Sequence, residues 1–393
     1  MSTTQQQPSR RLVSALFFLG FILMGASITL IGATILQLTE RFAVPLANGG
    51  IFSTAHSIGV VIGLFFGGSL YDRLPARLPL MAGLAATGIG LIGLTVAPSL
   101  WVALLSLGMW GLGFGTFLLG PNVIIARISP NPSSAVNALN VGFGVGAIAG
   151  PQVVSLMLSL GNERIAYVVF AVIALALTVP IILTNIPNGR DETSDDSGPL
   201  NWRVLAPLCL LIFFGLGVEV GMNLWIVPQL ELVAGAPSAV SILGVSIFWV
   251  GMTTSRGLAG VVTARPLSDE NMMLIYIGAI ALGISIVLSF STSALITLVG
   301  AFVFGLGAGP VYPTAAVLLL KLHPQAFGTA SGVMGSLGNV GAIILPWLQG
   351  QVGGGTSGGM IQILALSAVM LGAALIIRRL EAPPAATGMS PAR

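Results

Sequence analysis

The sequence predicts an all-α membrane protein of twelve transmembrane helices in two pseudo-symmetric six-helix bundles. Three observations predict it: an apolar, charge-poor composition, twelve apolar stretches of spanning length, and a weak repeat on either side of a polar middle segment. Of 393 residues, 55% are hydrophobic and 7% charged, whereas a soluble domain carries about 25% charged residues. A soluble fold has no place for so much apolar surface. The hydrocarbon core of a bilayer does, and close helix packing there relies on small residues such as the 52 glycines. A single cysteine, Cys209, excludes an internal disulfide framework, and two histidines are too few for a typical zinc site. No metal and no cofactor is therefore expected. A net charge of +3 is too small to point to nucleic acid.

A transmembrane helix needs about 20 mostly apolar residues. Twelve stretches qualify: 12–38, 48–70, 78–97, 101–126, 134–160, 165–185, 204–230, 238–264, 272–291, 293–320, 328–350 and 358–377. The first follows Arg10 and Arg11, as a signal peptide would, but its apolar run is too long for one and reads as a retained helix. Turn-forming groups punctuate the spans, at Pro45 to Gly50, Ser129 to Ser133 and Gly353 to Gly359.

Orientation follows from counting. With a cytoplasmic N-terminus, the inside carries Arg10, Arg11, Arg73, Arg77, Arg127, Arg190, Arg203, Arg256, Arg265, Lys321, Arg378, Arg379 and Arg393. Arg41 and Arg164 alone fall outside, a partition of 13 to 2. The positive-inside rule expects that bias, and an odd helix count would scramble it, so both termini are placed in the cytoplasm. The polar segment 185–203 reads as a cytoplasmic linker between bundles at 1–184 and 204–393, the latter ending in a short tail. Across it, Gly68 to Arg73 aligns with Gly260 to Arg265 and Pro121 with Pro313, both at an offset of 192. Gly146 to Pro151 aligns with Gly341 to Pro346 at 195. Matches at nearly one offset indicate parallel halves.

The loop between the second and third helices reads Gly68-Ser-Leu-Tyr-Asp72-Arg73-Leu-Pro-Ala-Arg77. It resembles the loop signature of the major facilitator superfamily, with Pro75 where that family often has glycine. The resemblance extends over the whole chain through the twelve helices, the linker and the degenerate copy near Arg265. It implies the major facilitator fold, a V-shaped pair of bundles rocking around a central cavity, in a monomer of the bacterial inner membrane surrounded by lipid. Gly68, Asp72, Arg73, Arg77 and Arg127 are then candidate gating residues: Gly68 permits close helix approach, and Asp72 at a helix end can pair with Arg127 or cap a neighbouring helix. The alternative is a set of solvated loop charges. In helix seven, Gly217-Val-Glu219-Val-Gly221-Met-Asn223-Leu-Trp225 is similar to a pattern of fucose- and glucose-type sugar symporters. In helix five, Gly146-Ala-Ile-Ala-Gly150-Pro151 resembles the core of a drug-antiporter motif.

Of twelve acidic residues, only Glu219 falls well inside a span. A charged carboxylate at a helix centre costs about 2.5–3.5 kcal/mol on insertion scales. Burial disfavours the charged form, which suits a group that takes up and releases a proton. Proton coupling, a hydrogen bond to substrate and a structural role remain open for it. Asn223 shares the face of Glu219, while Trp225 points about 120° away on a straight helix. Gly217, Gly221 and Pro228 make a break there plausible, which would bring Trp225 to the same spot; without one, Trp225 is a packing residue. Helix eight carries Ser246, Trp249, Thr253 and Arg256 on one face. Arg256 is either a gate or snorkelling arginine or a partner of substrate or Glu219. His56 clusters with Ser53 and Ser57 on helix two, and Asn137, Asn140 and Gly144 share a face of helix five. Asn122, Tyr312 and Asn339 are further polar groups within spans, each either interhelical glue or a ligand contact.

These features predict a proton-coupled secondary transporter of a small organic solute, sugar-like in character. Asn223, Trp225, Trp249, Thr253, Arg256, Asn140, His56, Tyr312, Asn339 and Asn122 are its candidate substrate-binding residues. A drug, amphiphile or lipid efflux antiporter and an uncoupled facilitator are the alternatives. No metal cluster, nucleophile triad or nucleotide loop is visible, so an enzyme is not expected.

Overall fold

The structure is a computed structural model that describes residues 6–187, 199–261, 267–322, 327–353 and 357–381. Twelve helices are long and apolar enough to cross a membrane. They are α1 (Arg10–Ala33), α2 (Leu46–Arg73), α3 (Arg77–Val96), α4 (Leu100–Ile128), α5 (Ser134–Ser159), α6 (Arg164–Leu183), α7 (Trp202–Val233), α8 (Ser238–Leu258), α9 (Asp269–Ser289), α10 (Ala294–Leu322), α11 (Thr329–Gly353) and α12 (Ser357–Leu380). Most of the expected linker, residues 188–198, lies outside the described residues, as do Arg190, Arg265 and Arg393.

Within the first six helices the main packing pairs are α2 with α4, α3 with α4, α1 with α5 and α3 with α6. The same pairs recur six helices later: α8 with α10, α9 with α10, α7 with α11 and α9 with α12. The two bundles meet through α2 against α11 and α5 against α8, which exchange under the same shift. The pseudo-symmetry hinted at by the sequence offset is thus a symmetry of packing.

Small residues make these pairs possible. On α2, a Cβ added at Gly63 would lie within 3.0 Å of backbone atoms of Leu112 and Thr116 on α4. With little hydrophobic drive between helices in lipid, such backbone-to-backbone approach supplies the packing energy. Gly68 does something else. A Cβ added there meets nothing within 4 Å, so the close approach expected of it is absent in this conformation.

Three helices depart from regularity, each for a local reason. Helix α1 is interrupted at Thr29 and then, past its end, at Thr34, giving short segments Leu30–Ala33 and Ile35–Arg41. Both threonine hydroxyls donate back to the preceding turn, Thr29 to the Ala26 carbonyl and Thr34 to that of Leu30, a bond that bends helices. Helix α10 is split at Gly309-Pro310 into Ala294–Ala308 and Val311–Leu322. Helix α7 corrects an expectation. It runs as continuous α-helix over Trp202–Pro228, through both glycines, before a π-helical turn at Gln229–Val233. Gly217 and Gly221 serve instead to seat the side chains of Leu345 and Gln349 on α11.

Candidate functional site

Two cavities lie between the bundles. The deeper, of about 310 Å³, is lined from α1 by Phe21 and Ile28, from α2 by Ser53, His56 and Ser57, and from α4 by Asn122. Asn140 and Phe143 come from α5, Glu219 and Asn223 from α7, and Trp249 and Arg256 from α8. The second, of about 790 Å³, extends toward the end of the molecule at which α1 begins and α12 ends, the terminus-bearing end. Asn137, Tyr312, Gly335 and Asn339 line it. Asn122, Asn140, Glu219 and Arg256 line both, forming a polar collar where the two meet.

The opposite end is closed by contacts between the bundles. Thr54 donates to the Ile343 carbonyl at 2.8 Å, and Gln152 Nε2 donates to Ser246 Oγ, which itself donates to the Ile148 carbonyl. Gln351 Nε2 reaches Ala47 O and Asn48 Oδ1. These bonds join the two bundles directly. All lie in the first part of α2 and α8 or the later part of α5 and α11. The molecule is therefore shut at one end and hollow toward the other.

The collar combines opposite charges without fusing them. Glu219 and Arg256 interact electrostatically, yet no direct ion pair joins them among the described residues. The position of Arg256 has a specific cause. The Gly309 carbonyl would ordinarily receive the N–H four residues on, but that residue is Pro313, which has none. Arg256 Nε supplies the missing donor at 2.9 Å. The guanidinium is thereby anchored across the α10 break and keeps its remaining N–H groups for the cavity.

The other predicted residues divide in two. His56 is 2% exposed, edge-on to the rings of Trp110 and Phe114, and its Nε2 has no hydrogen-bond partner. Asn122 Nδ2 donates to the Leu118 carbonyl while its Oδ1 is buried and unpartnered. Asn223 Oδ1 accepts from Trp249 Nε1 at 2.9 Å, which fixes the indole in the wall. Asn140 and Asn339 bond back to their own helices, and Tyr312 lines the wider cavity. Trp225 and Thr253 line neither cavity. Trp225 is 1% exposed and donates to the Pro346 carbonyl of α11, and Thr253 packs against Gly144. With α7 unbroken, nothing turns Trp225 toward Glu219. Phe21 and Phe143 belong to the wall without having been singled out in the sequence. Phe143 sits one turn after Asn140, a spacing that marks it as a neighbour on that face. Asp72, Arg73, Arg77 and Arg127 are exposed at the terminus-bearing end, around the α2–α3 turn and the end of α4. Among the described residues, no cluster of three or more metal-ligating side chains is present.

The sequence profile described as the Major Facilitator Superfamily matches residues 16–346. The sodium-dependent glucose transporter 1 of Xenopus laevis is 22% identical over 351 residues, covering 81% of this chain and 70% of its own. The quinolone resistance protein NorA of Staphylococcus aureus is 26% identical over 210 residues, covering 49% of this chain and 52% of its own. Among solved structures, a D-xylose–proton symporter superposes with a TM-score of 0.78 at 16% identity, over 93% of this chain and 96% of that one.

Proposed function

The chain belongs to the major facilitator superfamily, and from that premise we propose that it is a proton-coupled transporter of a small, uncharged organic solute, working by alternating access. That it is an integral multi-pass membrane transporter and not an enzyme follows from the family itself. Coupling and substrate class are the proposal.

One observation carries it: Glu219, the one acidic residue lining either cavity among the described residues, sits in the collar where the deep cavity meets the wide one. A coupling group must face the substrate and must be reachable by water from one side at a time. A carboxyl at this depth, near but not bonded to Arg256, meets both needs. Its protonation can change without dismantling a buried salt bridge, which would be strongly unfavourable. The uncharged substrate follows from the same pair, since one carboxyl and one guanidinium leave the wall with no net sign. A sugar-like solute suits the amides and hydroxyls around them, and the Xenopus relative is by name a glucose transporter.

In this proposal the terminus-bearing end faces the cytoplasm, as the partition of basic residues implies. The structure is then an inward-open state of a monomer in the bacterial inner membrane. Asp72, Arg73, Arg77 and Arg127 ring the open mouth and act on its closure. Drug efflux remains the second reading, favoured by the NorA match and by the Gly146-to-Pro151 segment of α5.

Glu219→Gln separates the possible roles, because it mimics the protonated carboxyl. In proteoliposomes the variant should retain solute exchange by counterflow and lose accumulation driven by a pH gradient. Accumulation that survives the substitution ends the coupling proposal. Exchange lost together with accumulation makes Glu219 a substrate ligand instead.

A further inference from the structure

The deep cavity holds two buried polar atoms that the protein leaves without a partner, one at each of its ends. His56 Nε2 lies toward the closed end, and Asn122 Oδ1 lies in the collar. Each is costly to bury unpaired in a membrane-spanning bundle, where no lipid group can satisfy it. The protein's own groups do not compensate them: the Asn122 amide nitrogen is already committed to Leu118, and the His56 ring packs edge-on against Trp110 and Phe114, neither of which hydrogen-bonds its Nε2. From Phe114 to Asn122 is eight residues of continuous helix, about 12 Å of rise at 1.5 Å per residue. Backbone to backbone, that separation exceeds one sugar ring.

Between the two ends the wall is aromatic. Phe143 lies 5.7 Å from Trp249 and 6.5 Å from Phe21, centroid to centroid. The indole N–H of Trp249 is taken by Asn223, so what this residue offers a ligand is carbon surface.

We infer that the cavity takes an elongated, uncharged, ring-bearing solute with a hydrogen-bonding group at each end, lying along the axis from His56 to Asn122. The inference rests on the reading of this cavity as the substrate site. The mouth-end group donates, because Asn122 Oδ1 accepts; a hydroxyl or an N–H serves. The closed-end group meets an imidazole, which can donate or accept according to its tautomer. The middle of the solute is a flat or cyclic apolar segment that replaces water against Phe21, Phe143 and Trp249. A single hexose satisfies one end only.

Three probes separate these features: glucose, phenyl β-glucoside and 4-hydroxyphenyl β-glucoside, titrated calorimetrically into the full-length protein in detergent. The 4-hydroxyphenyl compound should bind at least tenfold more tightly than either of the others. In His56→Leu that preference over phenyl β-glucoside should fall below threefold, and His56→Gln, which keeps a hydrogen-bonding group, should restore part of it. Equal binding of all three, weakened alike by Trp249→Leu, overturns the elongated ligand while leaving the cavity as the site. Binding unmoved by both Trp249→Leu and His56→Leu removes the site from this cavity altogether. No binding by any probe also overturns the inference.

Discussion

Arg41 sits at the closed end and is one of two basic residues that the positive-inside partition leaves on that side. It does structural work there. Its guanidinium donates to the carbonyls of Leu94, Thr95 and Ala97 and lies 4.7 Å from the Phe42 ring. The last carbonyls of α3 have no intrahelical partner, and a cation at a helix C-terminus also meets the favourable end of the dipole. Arg41→Met should therefore destabilise the protein by about 1–2 kcal/mol, the lower part of the range for bonds from a charged donor because the group is partly exposed. A thermal melt in detergent reads this, and an unchanged midpoint would mean water serves those carbonyls as well. Arg256 uses the same chemistry at the α10 break. Both roles were only half legible in the sequence. That Arg256 belongs to an inward-facing stripe with Ser246, Trp249 and Thr253 could be read from helical spacing, and the structure turns all four toward the other bundle. That it answers an orphan carbonyl requires knowing which helix passes beside it, which spacing along one helix cannot give. His56 and Asn122 were nameable as polar residues within spans, but their missing partners are a property of packing.

At the scale of elements, the twelve spans were readable because apolar length is a local quantity, and each lies within a few residues of its expected place. Breaks were less readable, because the same residues can kink a helix or let two helices touch. The glycines of α7 look like a hinge in sequence and prove to be seats for Leu345 and Gln349. The real break in α10 depends on Gly309-Pro310 with Pro313 three residues on. The closed end offers the sharpest test at this scale. Its bonds run from α2 to α11 and from α5 to α8, so they exist only while that end is shut. Removing them by Thr54→Val, Ser246→Ala and Gln351→Leu together should shift the population toward the state open at that end, since each net bond contributes about 0.5–1.5 kcal/mol. In a background lacking Cys209, a cysteine placed at Ser57 should then label more than threefold faster from that side in proteoliposomes. Unchanged labelling would show that packing such as Gly50 against Trp347, and not hydrogen bonding, holds the end closed.

For the whole molecule, three facts belong together: two bundles related by a six-helix shift, a seal at one end, and, among the described residues, one carboxyl at the meeting point of the cavities. Only the first was legible in the sequence, through the offset of 192 to 195 residues. The seal and the collar arise from contacts between halves that share no local pattern. In the proposed function they make Glu219 a proton-carrying group whose access changes as the bundles rock. The most direct test is the proton itself. A transported solute, identified by its binding to the detergent-solubilised protein, is added to lightly buffered proteoliposomes, and the external pH is followed. The account predicts alkalinisation of the medium in step with solute entry for the native protein, and solute exchange with no pH change for Glu219→Gln. Solute entry by the native protein without any pH change, or alkalinisation that persists in Glu219→Gln, would contradict it.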